Sequence, residues 1–399
     1  MRRLAFHCLS FSALAATGAA MAQSSVTLFG VVDAGISRYS LRSHSWDGGP
    51  ARSVGNGTWV LSPSGNLASR LGVRGTEDLG GGLSASFWLE APVFNDTGGG
   101  SLNFGRRSTL SLAGPWGELR LGRDYTPSFV NDWSSDPFST NGVGVNLIAV
   151  VNSNLATTRA LETNKTGSLA DRLLGGGLSA GTDNYLRASN SVGYFLPAGL
   201  GGLYGQAMAA LPENAMGRGR YWGARAGWTG GGADVALGYG VSTLTASEKI
   251  KSLNLGGSYD FGPAKLLAEL SQVRNTRPEG TDRYNGVLAG VSVPVGASGA
   301  LRASYARVQF RNGQGLADGD ASVNKLALGY VHNLSKRTAL YATAARIGVG
   351  NGRNNTSVMA VTPLVVSNPA IMPQPYYTTA GGMQPKGATG LDFGIRTVF

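Results

Sequence analysis

The chain has almost no cysteine, little histidine and little charge. Its one cysteine is Cys8, and its three histidines are His7, His44 and His332. Cys8 lies in an N-terminal leader, so the remainder has no thiol for a disulfide framework or a cysteine-ligated metal. Charged residues make up 14% of the chain, against about 25% in ordinary soluble domains. Long apolar runs are also missing. Beyond the leader no stretch approaches the roughly 18–20 residues that a membrane helix needs. H-E-x-x-H pairs and Walker loops do not occur. What remains is a glycine-rich, charge-poor chain that must find its architecture in strands.

Residues 1–22, "MRRLAFHCLSFSALAATGAAMA", run from two arginines through an apolar, Ala-rich stretch to small residues. That order predicts a secretory signal peptide, cut between Ala22 and Gln23. Residues 23–399 then form one domain, since no linker, charge block or composition break divides them. The 61 glycines are spread along the whole length. Without Arg2 and Arg3 the chain keeps 32 basic and 23 acidic residues, a charge of +9.

The dominant periodicity is two. Leu71 and Val73 alternate with Arg70, Gly72 and Arg74; Ala85, Phe87, Leu89 and Ala91 alternate with Ser84, Ser86, Trp88 and Glu90. "ADVALGYGV", "SLNLGGSYDFG", "VNKLALGYVHNL" and "GLDFGIRTVF" repeat the scheme, as strands with one apolar and one polar face do. Seven tight turns, "TEDLGGGL", "GPWGE", "PAGLGGL", "TGGGA", "DFGPA", "PVGASG" and "NLSKRT", alternate with longer connections such as "NDTGGGSLN", "PENAMGRGR", "TASEKIKS", "RNTRPEGTDR" and "RNGQGLADGDAS". Seven turns and eight loops require 16 strands. An even count, short on one side and long on the other, predicts an all-β, 16-stranded antiparallel transmembrane β-barrel. A sheet in hydrocarbon has no free edge, so "SVTLFGVVDAGIS" must pair with "GLDFGIRTVF", tying down Phe399. Phe29, Trp116, Tyr194, Trp222, Trp228, Tyr259, Phe261 and Phe399 fall near strand ends, where interfacial aromatic girdles sit.

"SSVTLFGVVDAGISRYS", "SRLGVRGTEDLGGGLSASFWLE", "NFGRR", "GELRLGRDYTP", "NSVGY" and "NLSKRTALYATAA" together resemble the trimeric general porins of β-proteobacteria, the Neisseria/Burkholderia/Bordetella type. The resemblance runs from Ser24 to Phe399. It implies an outer-membrane homotrimer in which a third external loop folds inward and narrows a water-filled pore. Thr397 stands where the family usually has a penultimate His, and Gly193 where a second Arg is common.

About 60 residues follow "LGRDYTP" before the next convincing strand, a length that is usually functional. The resemblance makes this the constricting loop, carrying Asp124, Asp132 and Asp136. Strand parity places Arg70, Arg74, Arg107, Arg120, Arg225, Arg302, Lys325 and Glu90 on the inner face, with Arg187 near the start of the strand after the loop. The family arginine falls on Arg106, where parity points outward; a bulge or a strand end would reconcile the two. Arg123, near a strand end, shares that ambiguity. Arginine stays charged at any working pH and presents a fixed fork, and rings of Arg and Lys favour anions. The reading is passive diffusion of small hydrophilic solutes and ions with a mild anion preference, without a cofactor or metal.

Other readings are weaker. No enzyme is indicated: His44 lies in the first long loop and His332 in a turn at the opposite rim, while Glu77 and Asp78 are turn residues. Nucleic-acid binding rests on charge alone, and the basic residues are spaced at strand period. Arg218, Arg220, Arg274, Arg277 and Arg283 are expected in loops, where they would meet anionic lipopolysaccharide. The alternative within barrels is a channel specific for a small anionic solute, for which Trp88, Tyr221 and Tyr284 would have to line a path. Small outward residues Gly30 and Ala34 suggest the first and last strands as the trimer contact. The purified protein is expected to need detergent and to change gel mobility on heating. A freely water-soluble monomer would exclude the barrel.

Overall fold

The structure is a computed structural model, and it describes residues 25–45, 52–100, 102–163, 184–212, 220–316, 319–352, 354 and 383–399. The expected leader, with its Ala22–Gln23 cut, and Arg218 lie outside the described residues. The described chain is a meander. β1 (Ser25–Ser45), β2 (Ser53–Pro63) and β3 (Arg70–Gly80) lead to β4 (Leu83–Pro92), β5 (Arg107–Gly114) and β6 (Gly117–Tyr125). Two helices follow, α1 (Pro127–Ser134) and α2 (Leu147–Thr163). Next come β7 (Arg187–Phe195), β8 (Leu203–Ala210), β9 (Arg220–Gly230) and β10 (Ala233–Thr243). β11 (Lys249–Asp260), β12 (Lys265–Arg277), β13 (Gly280–Val295) and β14 (Gly299–Arg311) continue the sheet. β15 (Ala321–Asn333), β16 (Thr338–Gly350) and β17 (Met383–Val398) complete it.

These 17 strand segments form one sheet. β2 and β3 lie end to end along the same side of β1, so the wall has 16 staves. The break between them is knitted by Asp33. Its carboxylate accepts the Asn66 and Leu67 N–H groups at 2.8 and 2.7 Å and the Tyr341 hydroxyl at 2.6 Å. The backbone donors freed by the break thus find an acceptor, as burial demands. All seven expected tight turns join consecutive, paired strands. "RNTRPEGTDR" differs: β12 runs to Arg277 and β13 begins at Gly280, so Pro278 and Glu279 alone make that turn.

Closure is direct. β1 pairs antiparallel with β17 from Val31↔Val398 to Ser45↔Met383. Beyond that register Gly30 N–H donates to the Phe399 carbonyl at 3.0 Å, and Phe399 N–H donates back at 3.1 Å. Glycine is required at position 30: a Cβ there would lie 2.4 Å from the Phe399 ring and 2.8 Å from the Arg70 carbonyl.

The outer face is apolar. Leu110, Leu121, Leu237, Leu255, Leu270, Leu326, Leu328, Phe393 and Ile395 are all exposed, Leu270 and Leu326 by 60%. A soluble monomer rarely carries so large a contiguous patch; a lipid-facing wall consists of one. Trp116, Tyr194, Trp228, Tyr259, Phe261 and Phe399 are exposed near the short turns, and Tyr194 and Trp228 donate to the carbonyls of Trp116 and Gly201 at 2.5 and 3.1 Å. Such rings combine an apolar body with a polar tip. Phe29 is a correction. Its parity matches Val31 and Asp33, which are buried, and its ring packs edge-on to Trp88 at 5.0 Å on the inner face. No helix among the described residues is long and apolar enough to cross a membrane.

Replacing Gly30 with Val should unseat Phe399 and break the two closing hydrogen bonds. The expected outcome is a large loss of the heat-modifiable, folded band after refolding into detergent. A wild-type yield would refute this account of closure.

Candidate functional site

The inner face holds a concentrated arginine wall on β3 to β7. Arg70 and Arg74 project inward, since their partners across the pair, Val31 and Thr27, have inner parity. β4 faces them with Trp88 and Glu90, and β5 adds Arg107, opposite Glu90. From the strands on either side of β4, the Arg74 and Arg107 guanidinium groups lie 5.0 and 4.5 Å from the Trp88 ring centroid. On β6, Arg120 joins Glu118 at 2.8 Å and Asp124 at 2.6 Å and covers the Phe195 ring at 3.9 Å. Asp124 shares this face with Glu118 and Arg120 because even positions of β6 point inward.

Arg106 and Arg107 both turn inward. Arg106 precedes β5, so strand parity does not govern it. Its Nε donates to Glu90 Oε1 at 2.6 Å and its Nη2 to the Tyr125 hydroxyl at 3.2 Å. Arg187 donates to the same hydroxyl at 2.8 Å and stacks on the ring at 4.4 Å. Arg70 approaches Glu90 at 3.8 Å. Three guanidinium groups therefore converge on one carboxylate and one phenol. Arg123 is not among them: it donates to the Gly105 carbonyl at 2.7 Å and to Ser189 at 2.8 Å, fastening neighbouring staves.

The connection from β6 to β7 begins with Thr126 as N-cap, accepting from Phe129 N–H at 3.4 Å, and with Pro127 opening α1. Both residue types favour a helix start. α1 lies against β8 to β11, and α2 against β13 and β14. Between them the chain touches β12, β15 and β17: Asn146 donates to Glu269 at 2.7 Å, Lys325 Nζ to the Val145 carbonyl at 2.5 Å, and Val143 N–H to Asp392 at 2.7 Å. Every contact uses wall residues that alternate with exposed apolar ones.

Asp132 and Asp136 do not face the arginines of β3 to β7. Asp132 accepts from Tyr185 at 2.5 Å and from Asn254, with the Glu269 carboxyl beside it. Two neighbouring carboxyls in a dry site oppose each other's ionisation. Asp136 accepts three backbone N–H groups, from Phe138, Thr140 and Asn146, at 3.0, 2.7 and 2.9 Å. Burial pushes both acids above the ordinary carboxylate range, against these hydrogen bonds. Asp132 fastens the loop to β11 through Asn254, while Asp136 gathers the loop's own backbone. Sequence reading missed Tyr125, Asn254, Glu269 and Asp392; the available signal was an acid at inner parity in an apolar strand, as in "LLAELSQV".

Arg225 also faces inward, bonded to Asn131, Ser134 and Tyr204 at 3.1, 3.3 and 3.0 Å. Arg302 and Lys325 share its face. Tyr221 and Tyr284 are buried, so they line no open path, whereas Trp88 does face the bore. No group of residues suited to holding a metal ion occurs among the described residues.

A closed 16-stave wall with a polar inside is a fold shared with known proteins, and the Gram-negative porin family matches residues 10–352. The chain belongs to that family. Outer membrane porin protein 32 of Delftia acidovorans is 35% identical over 404 residues, covering 98% of this chain and 99% of its own. A Bordetella pertussis outer membrane porin is 30% identical over 82% of this chain and 89% of its own. The solved anion-selective porin from Comamonas acidovorans superposes with a TM-score of 0.72 at 32% identity, over 94% of this chain and all of that one. This porin is an outer-membrane channel protein, and its family is one of channels rather than enzymes.

The fasteners give the porin a pH dependence. A raised acid favours the protonated form, so the Asp132 attachment is complete at low pH and is lost as pH rises through the raised value. Open-channel current noise is expected to grow on alkaline titration as α1 loosens from Tyr185, Asn254 and Glu269. Asp132→Asn should flatten that rise; an unchanged profile in the variant would overturn the assignment.

Proposed function

We propose that this porin passes small hydrophilic solutes, with a mild preference for anions, through a bore narrowed between the described part of the loop after β6, residues 126–163, and the arginine wall of β3 to β7. On this reading the loop is the third external loop, folded inward, and Arg70, Arg106 and Arg187 with Tyr125 and Glu90 form the narrow point. Arg74, Arg107, Arg120, Asp124 and Glu118 continue the charged path below it. The observation that carries the reading is the imbalance around Glu90: Arg70 and Arg106 meet this one carboxylate and Arg187 the adjoining Tyr125 hydroxyl, while the loop acids Asp132 and Asp136 are engaged elsewhere, by Asn254 on the wall and by loop backbone. A mobile anion entering that site meets uncompensated positive charge in a confined, low-dielectric space. The solved relative of Comamonas acidovorans, named anion-selective, supports the same direction. The family resemblance supports a homotrimer, with outer-leaflet lipid against the remaining wall.

A second reading, selectivity for one small anionic solute, is favoured by the recess of about 460 Å3 that Arg74, Trp88, Arg107 and Arg120 help to line. Arg74 and Arg107, held beside Trp88, are two guanidinium forks that a small carboxylate could bridge.

A planar-bilayer reversal potential under a potassium chloride gradient should carry the anion sign. Replacing Arg106 and Arg187 by Gln should move it toward zero. Cation preference in the wild type would overturn the proposal, and conductance that saturates at low concentration of a single organic anion would favour the second reading.

A further inference from the structure

Four cations stand in one row on the outer face. Lys251 pairs directly with Arg274, Arg274 with Arg283, and Arg283 with Arg311, across β11, β12, β13 and β14. All four are exposed and alternate with less accessible neighbours such as Val273, Tyr284 and Phe310. They therefore face outward, in strands rather than in the loops expected for Arg274 and Arg283. Like charges directly opposite each other destabilise a sheet. Among the described residues the row's one ion pair is Arg311 with Asp320, at 3.7 Å and open to solvent at both ends. Arg274 otherwise donates to Gln272 at 3.0 Å.

Height along the wall identifies what this row meets. Lys251 and the girdle residue Tyr259 lie on one strand, eight residues apart, which is about 27 Å of strand. At the usual tilt of about 40° that leaves roughly 20 Å along the membrane normal, close to the ~25 Å height of a barrel's apolar band. The row thus sits where hydrocarbon gives way to headgroups, at the long-loop rim. Directly beneath it a polar row, Gln272, Asn285 and Gln309, gives way to an apolar recess of about 610 Å3 lined by Leu237, Leu253, Leu255, Leu270 and Val287, with Arg307 at its side. Cations above, amide groups between and an acyl-width furrow below match one kind of molecule, end to end.

We propose that this face is a binding site for a phosphorylated, anionic lipid of the outer leaflet. The phosphates lie across Lys251, Arg274, Arg283 and Arg311, and an acyl chain lies in the leucine-lined furrow. The lipid supplies the negative charge that the sheet lacks there, and guanidinium forks suit phosphate oxygens. The site is separate from the bore, so it rests on the outer-membrane placement and not on ion preference.

The test uses the full-length protein in neutral detergent, with diphosphorylated lipid A, the same lipid stripped of its phosphates, and phosphatidylcholine as probes. Diphosphorylated lipid A should raise the unfolding temperature and stay bound in native mass spectrometry, and excess inorganic phosphate should not displace it. With Lys251, Arg274, Arg283 and Arg311 all changed to Gln, affinity should fall on the order of a thousandfold, and lipid A should no longer raise the unfolding temperature. Equal binding by the variant, equal binding of the dephosphorylated lipid, or full displacement by phosphate ions would each overturn the proposal. So would failure of the wild type to bind, with the variant dissociating into monomers, since the row would then be a subunit contact. Unitary conductance and reversal potential should be the same in both proteins. If the wild type does not conduct, the channel reading fails whatever the lipid result.

Discussion

Hydrocarbon offers a peptide group no hydrogen-bond partner, and this constraint organises the whole molecule. Every N–H and C=O in the membrane must be met by another strand, so the sheet has to return to its own first edge. In this chain the return is made by β1 and β17 and finished by the reciprocal Gly30–Phe399 bonds. Side chains then divide by parity alone. Leucines that would be buried in a soluble protein stand exposed, and the polar residues turn inward, where they need each other.

Inside, charge is managed in two ways. On β3 to β7 arginines are stacked on Trp88, Phe195 and Tyr125, which holds the guanidinium planes with little acid present and keeps a net positive surface. Elsewhere, acids of the wall and of the loop serve backbone and amide donors. Asp33 repairs the break between β2 and β3, Asp136 gathers three loop N–H groups, and Asp392 accepts from Ser37 at 2.6 Å as well as from Val143. A carboxylate can accept several bonds at once, which suits irregular backbone lying against a regular sheet.

The fold was legible in the sequence because period-two alternation and glycine turns are local signals, and closure follows from them by necessity. Strand pairing across "RNTRPEGTDR" was not, because strands that rise above the membrane keep alternating without apolar residues. Arg106 was ambiguous because parity fails one residue outside a strand. Phe29 looked interfacial by its position near a strand end, but its inner parity, readable from Val26 and Leu28, decided otherwise. The bonding of Asp132 and Asp136 was hidden for a different reason: their partners Asn254, Glu269, Tyr185 and Asn146 are far away in the chain or carried on irregular backbone, and no spacing rule connects them.

The Val143–Asp392 bond ties the loop to the final strand. A ribosome makes residue 143 long before residue 392, so this anchor has no mate until synthesis is nearly finished. A chain truncated before Asp392 would lack both its seam and this clasp on the loop. Seam and clasp therefore arrive together with the last strand, and a barrel short of that strand would leave its loop unheld on that side.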